Sequence, residues 1–270
     1  MKKELIVNEK AKLVLKSIES LVDSKCKYEK IPSLLIVAEE GCGASQYEEE
    51  YSHIIDKIEN GNGNRVTMLK LVFPNNNVEN EMLFYSSCDR LARVKNHRNK
   101  FWGTMVISFE EYKGRDLLRS ESFGRLLDFI KENKNNVHFV FRVFPSFDCV
   151  SHLLFRLREV ININEVMLDK PGHEDSYEYL ISTLESKGYV VDKKAQKRLK
   201  ERVVPEIVAL DEYKGYKTIN YVLDRLDNEM TMSNMGKNVV GEKVIDTVIS
   251  RFEEESRFEM AGKVKMGFGN

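Results

Sequence analysis

Residues Ser33–Ser45 read SLLIVAEEGCGAS. Ser33 to Ala38 is a short continuous apolar run, the pattern of a strand buried on both faces of a parallel sheet. Two acids and a Gly-Cys-Gly turn follow, and Ser45 opens a polar helix over Ser45–Glu59 that turns Tyr51, Ile54, Ile55 and Ile58 inward. Such a turn between a buried strand and a helix presents backbone N–H groups and the positive end of the helix to an anion.

Compared with the phosphate-binding pattern G-x-x-x-x-G-K-[ST], the stretch is incomplete. Ala38 stands at the first glycine, Gly43 at the second, Ala44 at the lysine and Ser45 at the Mg²⁺-binding hydroxyl. Gly41 and Cys42 complete the candidate nucleotide-binding set. A lost charge-assisted hydrogen bond is worth roughly 1.5–3 kcal/mol, which lowers phosphate affinity by about one to two orders of magnitude. Glu39 and Glu40 add negative charge beside the turn. An ordinary strand-to-helix turn, with Cys42 as a small spacer and Ser45 as a cap, reads the same residues without any ligand.

Working outward, an amphipathic helix is expected over Asn8–Lys25, and strands over Arg65–Phe73, Phe101–Phe109, Val137–Phe144 and Val160–Leu168. Helices are expected over Glu81–Lys95, Leu117–Lys134 and Ser146–Arg158, the last with Ser146 as N-cap. Strands alternating with helices imply a mainly parallel sheet covered on both faces. After Pro171 the pattern predicts helices only, near His173–Lys187, Asp192–Val204, Lys217–Met230 and Glu242–Arg257. The expected organisation is an N-terminal helix and linker (1–30), an α/β core (31–170), a helical part (171–232) and a C-terminal helix with tail (233–270). No internal repeat is present.

Composition narrows the function. The chain has 270 residues, and 42 basic against 43 acidic side chains leave a net charge of -1, so no basic excess points to nucleic acid. The start, MKKELIVNEKAK, lacks the apolar core of a signal peptide, and the longest apolar runs are too short to span a bilayer. Cys26, Cys42, Cys88 and Cys149 show no CxxC spacing and read as reduced thiols of a cytoplasmic protein. The five histidines have no metal-ligand spacing. The basic runs Arg90–Lys100 and Lys193–Arg202 read as solvated helix faces.

Thr104–Glu111, TMVISFEE, is an apolar strand ending in two acids. In P-loop ATPases a later strand ends in Asp-Glu, the Asp holding Mg²⁺ and the Glu orienting water. Glu110 takes the metal place, one methylene too long for a tight octahedral site, and Glu111 the catalytic place. With both segments in register the chain resembles an AAA+ ATPase, most of all the CbxX/CfxQ and stage V sporulation protein K group, over roughly Ile31–Met230. Ser122–Pro145 is similar to that group's helix, turn and sensor-1 strand, ending here in Phe144-Pro145. Lys214–Leu226 (KGYKTINYVLDRL) is similar to its sensor-2 helix. The resemblance implies a five-stranded P-loop NTPase-like α/β core, a C-terminal helical lid, ATP or ADP with Mg²⁺ at Ser45 and Glu110, an arginine finger at Arg156 or else Arg158, and protein partners, either copies of itself or another AAA+ subunit.

The departures cluster. Ala44 and Glu110 replace the lysine and the aspartate. Gly215-Tyr216-Lys217-Thr218 lacks the sensor-2 arginine, and Arg142 stands where a small or polar residue is expected. FPNNNVENE (Phe73–Glu81) has no Gly-aromatic pore loop. The expected function is a non-hydrolysing AAA+-like assembly or regulatory module, with a nucleotide-free state as compatible as an ATP-bound one. The alternatives are a divergent active ATPase borrowing a lysine such as Lys113 or Lys217, and a clamp-loader or initiator-like module on DNA.

Overall fold

The computed structural model describes residues 8–27, 30–59, 68–73, 82–88, 103–109, 114–233 and 238–250. They fall into two compact units. One lies within Val7–Glu39 and Gly43–Asp169, the other comprises Glu40–Cys42 and the chain from Lys170 onward.

The first unit is built on β1 (Ser33–Ala38), every residue of which is buried. With β2 (Leu69–Val72), β3 (Gly103–Ser108), β4 (Val137–Val143) and β5 (Ile163–Leu168) it forms a five-stranded sheet in the order β2-β3-β4-β1-β5. Every pairing is parallel, with Leu35 beside Phe141 and Glu165, and Met105 beside Phe139. The chain leaves β1, starts again at the far edge, returns inward through β3 and β4, and crosses to β5. The strand beginning the glycine-rich turn is therefore interior, which its unbroken apolar run requires.

The two faces of this sheet are chemically different. On one, Leu35, Val37, Met105, Ile107, Phe139, Phe141 and Val143 alternate into a core with Phe123, Leu126, Leu127 and Ile130 of α5 (Glu121–Asn133) and Leu153, Leu154 and Leu157 of α6 (Val150–Arg158). Phe84 and Cys88 join from α3, residues 82–88. Phe109, Phe141 and Phe139 stack at successive centroid distances of 6.1 Å. Fully burying each such ring stabilises by roughly 1.5–3 kcal/mol.

The other face carries α1 (Glu9–Asp23) and α2 (Ala44–Glu59) and is studded with polar groups. Tyr47 donates to the carbonyl of Ala11 and Tyr51 to that of Pro32, both at 2.9 Å. Glu48, Ser52, Thr104, Ser108 and His138 are buried.

Most expected elements form, with shifts at their ends that have local causes. Asn8 caps α1 by accepting the amide of Ala11. The helix expected over Leu117–Lys134 is broken by Ser120, whose hydroxyl accepts the amide of Phe123, so α4 (Gly114–Arg119) precedes α5. Ser146 is not the cap of α6. It lies in a turn closed by Phe147 N–H to Phe144 O (3.0 Å), and the helix starts after Cys149 without a side-chain cap. The fifth strand starts at Ile163 because the amides of Val160 and Ile161 are taken by the carbonyl of Leu157 at the end of α6.

The second unit packs α7 (His173–Ser186), α8 (Lys193–Arg198), α9 (Val204–Val208), α10 (Tyr216–Ser233) and α11 (residues 242–250) around Leu180, Leu184, Leu199, Val203, Ile219, Leu223 and Leu226. It is not helices alone. β6 (Val190–Val191) and β7 (Val239–Val240) pair in parallel, and two-residue strands are too short to leave a period in the sequence. Between α8 and α9, Leu199–Val203 is a π turn in which Val204 N–H reaches back five residues to Leu199 O. Pro205 follows directly. It has no N–H and its ring crowds the carbonyl four residues earlier, so the helix widens rather than breaks.

Candidate functional site: the glycine-rich turn

β1 runs into a turn at Glu40–Gly43, and α2 begins at Ala44. Gly41 and Gly43 have φ of +85° and +83°, the left-handed region where a side chain is strained. Cys42 and Ala44 are buried, while Ser45 is exposed on the first turn of α2. The carbonyl of Gly43 accepts the amide of Tyr47 at 3.0 Å, so the start of the helix is regular.

The tip of the turn, Glu40–Cys42, belongs to the helical unit. There the carbonyl of Gly41 accepts the backbone N–H of Tyr216 at 2.8 Å. A Cβ on Gly41 would fall 1.9 Å from the carbonyl oxygen of Lys214. Gly215, with φ +56°, answers it, since a Cβ there would fall 2.4 Å from Gly41 O. Beside this interlock Lys217 Nζ donates to Glu40 Oε1 at 2.8 Å. Burial raises the Tyr216 and Tyr213 hydroxyls above their usual range, with Asp175 and the neighbouring Cys42 thiol adding to it. Tyr213 in turn donates to the carbonyl of Pro171 at 2.9 Å and shares a 2.7 Å hydrogen bond with Ser176.

The side of Gly41 that a Cβ would occupy holds the Lys214 carbonyl, and at the tip the Gly41 carbonyl and the Glu40 carboxylate are both engaged by Tyr216 and Lys217. Lys217, one of the two lysines considered as a substitute, does reach the turn, but its charge is engaged by Glu40.

The remaining sequence candidates are dispersed. Glu110, Glu111 and Lys113 lie outside the described residues, as do the segment 74–81, which lacks the pore-loop motif, and the basic run Arg90–Lys100. Arg156 forms an ion pair with Glu159 at 3.1 Å on α6, next to Phe155, whose side chain is 63% exposed. Arg158 lines a cleft of about 580 Å³ with Lys134 and His138. That cleft is at the end of the sheet where β1, β4 and β5 begin, opposite the end where β1 enters the turn. Among the described residues no group of three His, Cys, Asp or Glu side chains could hold a metal ion, and no helix is long and apolar enough to cross a membrane.

Residues that sequence reasoning passed over surround the first turns of α2. Glu48 is 0% exposed, with Lys70 Nζ 2.9 Å from one carboxylate oxygen and Arg142 Nη1 3.5 Å from the other. The unusual arginine of β4 is thus the partner of a buried acid. A signal was available: Glu48 falls between Tyr47 and Tyr51 on the stripe that α2 buries.

No family model and no curated protein matches the chain. Solved structures do. PCH-2 from C. elegans superposes with a TM-score of 0.60 at 14% identity, covering 93% of this chain and 70% of that one. The ORC2 protein of Aeropyrum pernix in its ADP form gives 0.62 at 11% identity, covering 93% and 70%. Domain III of the Thermotoga maritima replication initiation protein DnaA gives 0.56 at 9% identity, covering 92% and 94%. At these identities the likeness concerns the fold, and it agrees with the strand order and the strand–turn–helix at Ser33–Glu59: the chain has the P-loop NTPase-like α/β fold.

Proposed function

We propose that this chain is a catalytically degenerate AAA+-type module, closest in its motifs to the CbxX/CfxQ and stage V sporulation protein K group. It works in protein assembly or regulation, with copies of itself or beside an active AAA+ subunit, and turns over little or no nucleotide. The observation that carries this reading is the engaged tip of the turn: the Gly41 carbonyl accepts the Tyr216 N–H, and the Lys214 carbonyl lies where a Cβ on Gly41 would be. Ala44 in the lysine place and the engagement of Lys217 by Glu40 support it.

The test is turnover of ATP with Mg²⁺ by the purified protein, with native mass measured in the same samples. Robust hydrolysis that disappears on Glu111→Gln would overturn the reading and favour the divergent ATPase. The DNA-associated reading draws on the fold likeness to a replication initiation protein. Against it, the basic run Lys193–Arg202 is largely neutralised by carboxylates: Arg198 pairs with Asp246 at 2.6 Å, Lys200 with Glu174 and Arg202 with Glu206, both at 3.1 Å. Salt-dependent binding to duplex DNA would revive it.

A further inference from the structure

The cleft of about 580 Å³ at the strand-start end of the sheet lies within the first unit, and its make-up follows from the topology. α5 leads into β4 and α6 into β5, the two strands that flank β1. In such parallel crossovers the helices run against the strands, so both finish where β1, β4 and β5 begin. A cation at the end of a helix offsets the helix dipole. Lys134 is the C-cap of α5 and Arg158 the last residue of α6, and the crossovers gather the two at one cleft.

Floor and rim differ in chemistry. Ile31, Val160 and Ile163 are buried and supply apolar surface to the lining. Ser33 and His138, also buried, add two polar groups. Ser33 Oγ accepts the amide of Phe139 at 3.1 Å, which leaves its own proton to donate. Burial keeps the His138 imidazole neutral, so it brings no charge. At the exposed rim, among the described residues, neither cation is matched by a carboxylate. Lys134 Nζ donates to the carbonyl of Val160 at 3.3 Å, and Glu159, which also lines the cleft, pairs instead with Arg156 at 3.1 Å. The cleft is therefore electropositive over a floor that is mostly apolar. Its volume is within the range of about 300–1,000 Å³ that small-molecule sites occupy.

We propose that this cleft binds a small organic oxyanion, a carboxylate or a phosphate monoester on a compact apolar body. Arg158 and Lys134 hold the charged group, the guanidinium being suited to grip two of its oxygens at once. Ile31, Val160 and Ile163 take the body, and Ser33 donates to a polar atom of the ligand. The site shares no residue with the glycine-rich turn, so it stands whether or not that turn takes a nucleotide.

The test is calorimetric titration of the purified protein with phenyl phosphate, benzoate and inorganic phosphate, with the imidazole NMR signals of His138 followed in parallel. At least one of the two ring-bearing probes is expected to saturate the protein and to shift the His138 signals. Inorganic phosphate, with no body to bury, should bind about tenfold more weakly or worse. Arg158→Gln and Lys134→Gln should each weaken binding by about tenfold or more, the worth of one charge-assisted hydrogen bond. Arg125→Gln, on α5 but outside the cleft, is the control and should change nothing. A preference for phenyl phosphate identifies a phosphate ligand and a preference for benzoate a carboxylate, and either upholds the site. No saturation by either probe at millimolar concentrations overturns it. Binding unmoved by the Arg158 and Lys134 changes lies elsewhere and overturns it too. Inorganic phosphate bound as tightly as phenyl phosphate overturns the part assigned to the floor.

Discussion

Arg142 and Glu48 meet between β4 and α2, the arginine Nη1 lying 3.5 Å from a carboxylate that has no exposed surface. Lys70 reaches the other oxygen at 2.9 Å from β2, so one buried acid ties α2 to an edge strand and an inner strand. Neither cation is fully buried, and the acid is the member that cannot reach water. Removing one partner of a buried pair costs far more than the pair contributes, because the other charge is stranded. Lys70→Met combined with Arg142→Leu, which strands the buried carboxylate, is therefore expected to destabilise by about 3 kcal/mol. Adding Glu48→Leu to those two changes should cost clearly less than the two alone. Urea unfolding of these proteins and the unmodified one decides it, and a loss for Lys70→Met with Arg142→Leu within error of zero would remove the pairing from the account of stability.

Gly41→Ala should be far more damaging than its size suggests. The left-handed backbone alone costs about 1 kcal/mol with a Cβ, and the overlap with Lys214 O forces backbone to move, so the total should exceed about 2 kcal/mol. A thermal midpoint unchanged from the unmodified protein would show that the contact with Lys214 is dispensable.

Gly124→Ala is the opposite case. Gly124 lies exposed inside α5, and an added Cβ meets nothing within 4 Å. Replacing it should stabilise by about 0.5–1 kcal/mol through helix propensity. A fall in stability on urea unfolding would mean that α5 is strained at this point.

His138 makes stability depend on pH. Burial holds its imidazole at about 3 against an ordinary 6.5, so it stays neutral in the fold and takes up a proton on unfolding. The unfolded state binds more protons below pH 6.5, and stability falls as pH drops from 6.5 towards 3. At about pH 5 the loss should be about 2 kcal/mol. His138→Gln should flatten the slope of unfolding free energy against pH over that range, and an unchanged slope would assign it to other groups.

Ala44→Lys on its own should not restore ATP binding. The restored ammonium would stand at the base of a turn whose tip still offers acceptors to Tyr216 and Lys217. Calorimetric titration with ATP and Mg²⁺ checks this, and binding gained by that one change would make the missing lysine the whole obstacle.

Much of the fold is legible because its signals are local. The run Leu34–Val37, followed by its glycine-rich turn, reads as an interior strand, whereas the cap at Ser120, also a local bond to an amide three residues away, is read through as helix interior. What escaped is non-local or very short. The two-residue β6 and β7 have no periodicity to read, and the π turn is visible only through Pro205. At the candidate site the residue types in the turn were legible but not its partner, since Glu40 and Lys217 are 177 positions apart. Glu48 was overlooked for a different reason: an acid in a helix is ordinarily read as solvent-facing, and only its place among Tyr47 and Tyr51 argued otherwise.

The interlock of Gly41 with Gly215 separates two things that a glycine-rich turn normally reports together. A glycine at 41 is held in place by a carbonyl of the same chain, so selection could keep it long after any phosphate had ceased to visit. Among relatives of this chain, the glycines at 41 and 215 should then be retained or lost as a pair, while position 44 drifts independently of both.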